Sequence, residues 1–140
     1  MTPRHLNRNV VSSFCSFLVS AIYAFTVNVQ PIVLASLLCL CTSVCHHSLK
    51  KPSKKIRIVD MVVVNSIGSI FLTDCYLTIP VCLETQMVYL CAMTAFMQYM
   101  YQLRTINKNF GVKYHWLIHV VSNTGIGFYV FAKHQQMQPQ

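Results

Sequence analysis

The chain has 140 residues, of which 54% are hydrophobic and only 10% are charged, and its mean hydropathy is +0.48. These values exclude an ordinary soluble domain and predict a polytopic membrane protein. The net charge of +8 raises the question of a nucleic-acid partner, but the basic cluster at 50–57 lies between two apolar segments and contains no aromatic residues. We therefore expect no nucleic-acid partner and attribute the cluster to membrane topology and to attraction by anionic lipid headgroups.

Five apolar segments are long enough to cross the roughly 30 Å hydrocarbon core of a bilayer as helices. In chain order they lie near residues 9–29, 31–48, 56–76, 81–101 and 114–131. A turn from Asn28 to Pro31 separates the first two, and Thr78 to Pro80 separates the third from the fourth. The alternative is that the stretch from Phe71 to Leu83 is an interfacial segment. The sequence thus predicts an all-α fold, in which residues 1–140 form a single transmembrane bundle of about five helices.

The distribution of basic residues predicts the orientation of these helices. With five spans, the N-terminus, the second loop and the fourth loop share one face, and ten of the 11 Lys and Arg residues lie there, whereas Lys133 lies opposite. The positive-inside rule then places the N-terminus in the cytosol and the C-terminus outside or in a lumen. We expect a multi-pass protein of the endoplasmic reticulum, the Golgi or the plasma membrane.

Histidines near the cytosolic rim have the spacing of a metal site. His115 and His119 are four residues apart, as are Ser43 and His47, so each pair projects from one face of its helix. His47, His115 and His119 could form a tetrahedral zinc site with an open fourth position, where zinc would activate water. His46 lies about 100° from His47 around a helix and is expected to face elsewhere, unless the second helix ends early and His46 is the ligand instead. A less specific alternative is that His115 and His119 only mark an amphipathic rim.

Asp60 and Ser43 complete the candidate catalytic set. Asp60 begins the third span, where it could orient a histidine or accept a proton from water. Ser43 could hydrogen-bond the bound water or a developing oxyanion. The alternatives are that Asp60 caps its helix or pairs with Arg57, and that Ser43 bonds back to its own helix.

These motifs resemble a known superfamily. Ser43-x-x-x-His47, Asp60 at the start of the next span, and His115-x-x-x-His119 in the last are similar to the pattern of alkaline ceramidases, progestin and adipoQ receptors and Per1-like proteins. The stretch 115–125, with Ser122 and a final glycine, is closest to the ceramidases. The resemblance implies three zinc-binding histidines with the Ser and Asp beside the metal. Members of that superfamily have seven spans, so this chain would be a shortened member.

Two functions from different classes follow. The first is a zinc-dependent intramembrane hydrolase of lipid amides such as ceramide, with a membrane lipid as its substrate. The second is a small structural or pore-forming multispan protein, for example of a virus, or a catalytically inactive relative. Small residues could support homo-oligomers in either case, namely Ser66, Gly68, Ser69, Gly125 and Gly127. A receptor or metal-transport role ranks below both, because few polar residues line a path to the far face.

Overall fold

The computed structural model describes residues 3–48, 54–104 and 108–138 of the chain. This part is all-helical, which confirms the predicted all-α fold. Its five helices are α1 (Pro3–Thr26), α2 (Gln30–Ser48), α3 (Lys54–Thr78), α4 (Leu83–Arg104) and α5 (Lys108–Met137).

A helix ends at each of the two breaks predicted from the sequence. Asn28 adopts a left-handed conformation with φ of 61°, which asparagine tolerates better than most residues, and Pro31 then lies in the first turn of α2. At the second break, α3 ends at Thr78, and Thr85 caps the beginning of α4 by accepting a hydrogen bond from the Cys82 amide at 3.0 Å. The chain is thus interrupted at both predicted positions, whereas the interfacial alternative for 71–83 stays a prediction.

Three helices are long and apolar enough to cross a membrane: Arg8–Thr26, Gln30–Ser48 and Lys55–Thr78. Their lengths of 19, 19 and 24 residues suit a hydrocarbon core of roughly 30 Å. The structure thus fits a membrane protein built from apolar helices, whereas the count of five spans stays a prediction.

Helix α5 is central to the packing and contacts both α1 and α4. The buried cluster around it lies in the half of the bundle that contains the C-terminal end of α5, and includes Ala24, Val88 and Val130. Gly125 lets α4 approach closely, because a Cβ atom placed there would lie 3.0 Å from the Cys91 Cβ. This contact holds α4 against the helix that carries His115 and His119.

Helix α3 is the least buried element and is held by polar contacts near each end. Of residues 55–78, only Asp60 and Cys75 are buried. Near the C-terminal end of α3, Asp74 pairs with Lys133 of α5 at 2.7 Å and accepts a hydrogen bond from Tyr129. Near the opposite end, Asp60 contacts α2. The two contacts hold α3 at both ends although little of its surface is packed.

Candidate metal centre

Helix α2 contributes one buried stripe to the centre of the bundle. The stripe consists of Ile32, Ser36, Cys39, Ser43 and His47. Steps of three and four residues keep these side chains on one face of a helix. His47 and Ser43 therefore share the buried face, and His47 is only 7% exposed although it is next to the last residue of α2.

Three histidines from α2 and α5 meet at this end of the bundle. One potential ligand atom from each of His47, His115 and His119 lies within 4.8 Å of the other two. The Nε2 atoms of His47 and His119 are 3.3 Å apart, and His119 is 7% exposed. The ring centroids are 4.9 Å apart for His115 and His119, and 5.0 Å apart for His47 and His115. The structure thus brings together the three residues predicted to bind a metal.

One distance in this cluster is compatible with a metal ion shared by His47 and His119, and equally with a hydrogen bond between their rings. Two nitrogen ligands that each lie about 2.0–2.1 Å from a tetrahedral zinc are about 3.3 Å apart. The Nε2 atoms of His47 and His119 have this separation. Imidazole nitrogen is also a preferred zinc donor, and three of them leave a fourth position for another group.

Asp60 is engaged by two side chains of α2. Ser43 donates a hydrogen bond to Asp60 Oδ1 at 2.8 Å, and His46 Nδ1 lies 3.0 Å from Asp60 Oδ2. Asp60 is 8% exposed, and a carboxylate this buried needs such partners. Ser43 therefore bonds across to α3 and not back to its own helix, and the carboxylate pairs with a histidine where the sequence suggested Arg57.

His46 faces a different helix from His47, as predicted, but it still contacts the site. The rotation of about 100° between neighbouring helical residues does separate it from His47, but it directs His46 towards α3, which packs against α2. The His46 ring also stacks on the His47 ring, with centroids 4.6 Å apart and an angle of 28° between the planes. His46 thus connects Asp60 to the histidine cluster.

A second set of potential ligands overlaps the first. His46, His47 and Asp60 also have ligand atoms within 4.8 Å of one another. In this set, however, the nearest atoms of His46 and Asp60 are already paired with each other. The three-histidine set is therefore the better candidate, and His46 with Asp60 supports it from outside.

Helix α1 contributes polar residues that the sequence analysis missed. The hydroxyl of Ser13 lies 3.1 Å from His119 Nε2, and Phe17 meets the His119 ring edge-on with centroids 6.0 Å apart. Ser20 donates a hydrogen bond to Asn123 Oδ1 at 2.7 Å, and Asn123 donates to the backbone oxygen of His119 at 2.8 Å. Serines at helical spacing in an apolar span were the available signal, but one helix alone does not reveal which neighbour they face.

No family model, curated protein or solved structure matches the chain. Fold and site together define a class: an all-helical protein with apolar helices suited to a membrane and a histidine triad that could hold a metal ion.

Proposed function

We propose that the chain is a zinc-dependent membrane hydrolase of lipid amides, a shortened member of the superfamily that contains the alkaline ceramidases. The observation that carries this proposal is the convergence of His47, His115 and His119 from two helices that are distant in sequence. Zinc held there would supply a Lewis acid and an activated water molecule at neutral pH. The substrate class comes from the resemblance and from the position of the cluster near one end of the apolar helices.

We further propose five spans, with the N-terminus in the cytosol. Two contacts between α1 and α5 support this topology: Ser13 meets His119, and Ser20, later in α1, meets Asn123, later in α5. The two helices therefore run in the same direction, as the first and the last of an odd number of spans would. Exposed Arg8, Lys55 and Arg57 belong to the helix ends around the histidine cluster, whereas Lys133 belongs to the other end of α5. This split supports a cytosolic position for the cluster in the proposed topology.

In this proposal, the roles of Asp60 and Ser43 are to position other groups. Both carboxylate oxygens of Asp60 are engaged, one by Ser43 and one by His46. His46 in turn stacks on His47. Groups that surround a metal-binding imidazole, including carboxylates, help to fix the orientation of its ring. Asp60 therefore acts through His46, and Ser43 holds Asp60.

The metal content of the detergent-purified protein tests the proposal. We expect about one zinc per chain by inductively coupled plasma mass spectrometry. The zinc should be lost in His119→Ala and retained in His134→Ala, a matched control about 22 Å further along α5. A zinc-loaded wild type should then release fatty acid from a short-chain N-acyl sphingoid base.

Two results would contradict the proposal at different levels. Wild-type protein that is well folded but holds no zinc would exclude the metal centre and the hydrolase together. Stoichiometric zinc without hydrolysis of any lipid amide would leave a metal centre and exclude the proposed reaction.

The exposed face of α3 favours a second candidate, a structural protein that acts through self-association. Ser66 and Ser69 are exposed, and a Cβ atom added at Gly68 would meet nothing within 4 Å. Small residues of this kind allow close approach of helices in a bilayer. This candidate predicts that Gly68→Leu converts an oligomer to a monomer in detergent, whereas His119→Ala leaves the oligomer intact.

A further inference from the structure

Ser13 is the α1 residue closest to the histidine cluster. Its side chain is fully buried, and its hydroxyl lies 3.1 Å from His119 Nε2. The same nitrogen is 3.3 Å from His47 Nε2. The Ser13 hydroxyl therefore lies beside His119 Nε2, the ring nitrogen that points towards His47.

We propose that Ser13 is a positioning residue for whatever occupies the fourth position of the metal site, whether water or a substrate oxygen. This inference rests on the proposed function. A hydroxyl can donate one hydrogen bond and accept others, so it suits either occupant. Ser13 thereby takes the role that the spacing of the motifs suggested for Ser43, because Ser43 is committed to Asp60 at 2.8 Å.

The hydrogen bonding of a buried hydroxyl supports this assignment. An imidazole nitrogen that binds a metal uses its lone pair and cannot accept a hydrogen bond at the same time. When His119 Nε2 binds a metal, Ser13 must therefore direct its proton to another acceptor, because buried polar groups rarely remain unpaired. A group at the fourth position is adjacent to the same nitrogen and can be that acceptor.

Asn9 extends the polar surface of α1 by one turn. It is 2% exposed and four residues before Ser13, so the two lie on the same face of α1. Asn9 Oδ1 accepts no hydrogen bond from the residues that the structure describes. A buried acceptor on this face of α1 suits a ligand that carries a hydrogen-bond donor.

Cobalt substitution combined with cysteine replacement tests the position of Ser13. Cobalt(II) bound to a thiolate gives a charge-transfer band in the near ultraviolet, so a cysteine reports whether its position reaches the metal. We expect Ser13→Cys to show this band after addition of cobalt and Ser12→Cys to match the wild type. Ser12 is the matched control, because it is adjacent but hydrogen-bonds to the Asn9 carbonyl of its own helix at 3.1 Å. The wild type provides the baseline for the seven native cysteines.

Ser13→Ala is the second variant and requires no new ligand. It should retain about one cobalt per chain, because the three histidines remain. Its visible d–d spectrum, and the pH dependence of that spectrum, should differ from those of the wild type, because the fourth ligand has lost its hydrogen-bond partner. Helical circular dichroism and the gel-filtration profile establish that each variant is folded.

The outcomes separate this inference from the proposed function. A wild type that binds cobalt, together with no new band in folded Ser13→Cys and an unchanged d–d spectrum in Ser13→Ala, would overturn the role of Ser13 and leave the metal centre. If Ser13→Cys does not fold, an unchanged Ser13→Ala spectrum overturns the role alone. A folded wild type that binds no cobalt would overturn both proposals.

Discussion

Asp60 Oδ2 lies 3.0 Å from Nδ1 of His46, the histidine that is not part of the three-histidine cluster. The His46 ring stacks on His47 with centroids 4.6 Å apart. Of the two adjacent histidines at the end of α2, one therefore faces α5 and the other faces α3. Asp60 is therefore linked to the three-histidine cluster indirectly, through the His46 ring that stacks on His47.

We expect His46→Ala to weaken zinc binding without abolishing it. The three proposed ligands remain, but the contact that fixes the His47 ring is lost, and removal of such supporting groups typically lowers metal affinity about 10- to 100-fold. His47→Ala, in contrast, removes a ligand and should abolish stoichiometric binding. Competition with a chromophoric zinc chelator measures both affinities.

His46→Phe separates the two contacts of His46. Phenylalanine keeps a ring that can stack on His47 but cannot hydrogen-bond to Asp60. An affinity close to that of His46→Ala would assign the effect to the carboxylate, whereas recovery towards wild type would assign it to stacking. An unchanged affinity in all His46 variants would contradict the supporting role.

Much of the helical fold could be predicted from the sequence because its signals are local. Long apolar segments identify helices, and Asn28 and Pro80 act on the backbone at their own positions. The helices extend past several predicted segments, most clearly α5, which begins at Lys108 and ends at Met137. Polar residues at the end of a membrane helix cost little free energy, because they reach water or lipid headgroups. The apolar segment is therefore shorter than the helix that contains it.

The parts of the candidate site that could be predicted are pairs of residues within the same helix. His115 with His119, and Ser43 with His47, are pairs at i and i+4, and each pair needs only helical geometry to share a face. The contacts of His46 and Ser13 depend instead on which helix packs beside them. Sequence gives the direction of His46 around α2, but only the packing of α3 shows that this direction leads to Asp60.

Gly125→Ala should destabilise the bundle, whereas Gly127→Ala should not. A Cβ atom at Gly125 would lie 3.0 Å from the Cys91 Cβ, so α4 and α5 would have to move apart, and overpacking of this kind typically costs about 1–3 kcal/mol. A Cβ atom at Gly127 would meet nothing within 4 Å, and alanine favours helix by up to about 1 kcal/mol over glycine. Denaturant unfolding in mild detergent measures both changes. Equal destabilisation by the two substitutions would contradict the close approach at Gly125.

Tyr129→Phe should weaken the contact between α3 and α5. The change removes the hydroxyl that donates to Asp74 but retains the ring, which stacks on Phe71 with centroids 5.2 Å apart. Loss of a hydrogen bond to a charged group typically costs about 1.5–3 kcal/mol. Tyr76→Phe is the matched control, because Tyr76 is 78% exposed and its substitution should change the free energy of unfolding by no more than about 0.5 kcal/mol. If both variants unfold like the wild type, the hydrogen bond from Tyr129 to Asp74 does not hold α3.

The proposed topology predicts that, of the two termini, the C-terminus is translocated and the N-terminus is not. The chain contains no Asn-X-Ser/Thr sequence of its own, so an acceptor sequence appended to either terminus gives an unambiguous signal. Expressed with microsomal membranes, the C-terminal fusion should be glycosylated and the N-terminal fusion should not. The reason is the excess of Lys and Arg on the face that includes the N-terminus. Four spans would leave both termini in the cytosol and neither fusion glycosylated. That result would also contradict the parallel arrangement of α1 and α5, on which the contact between Ser13 and His119 depends.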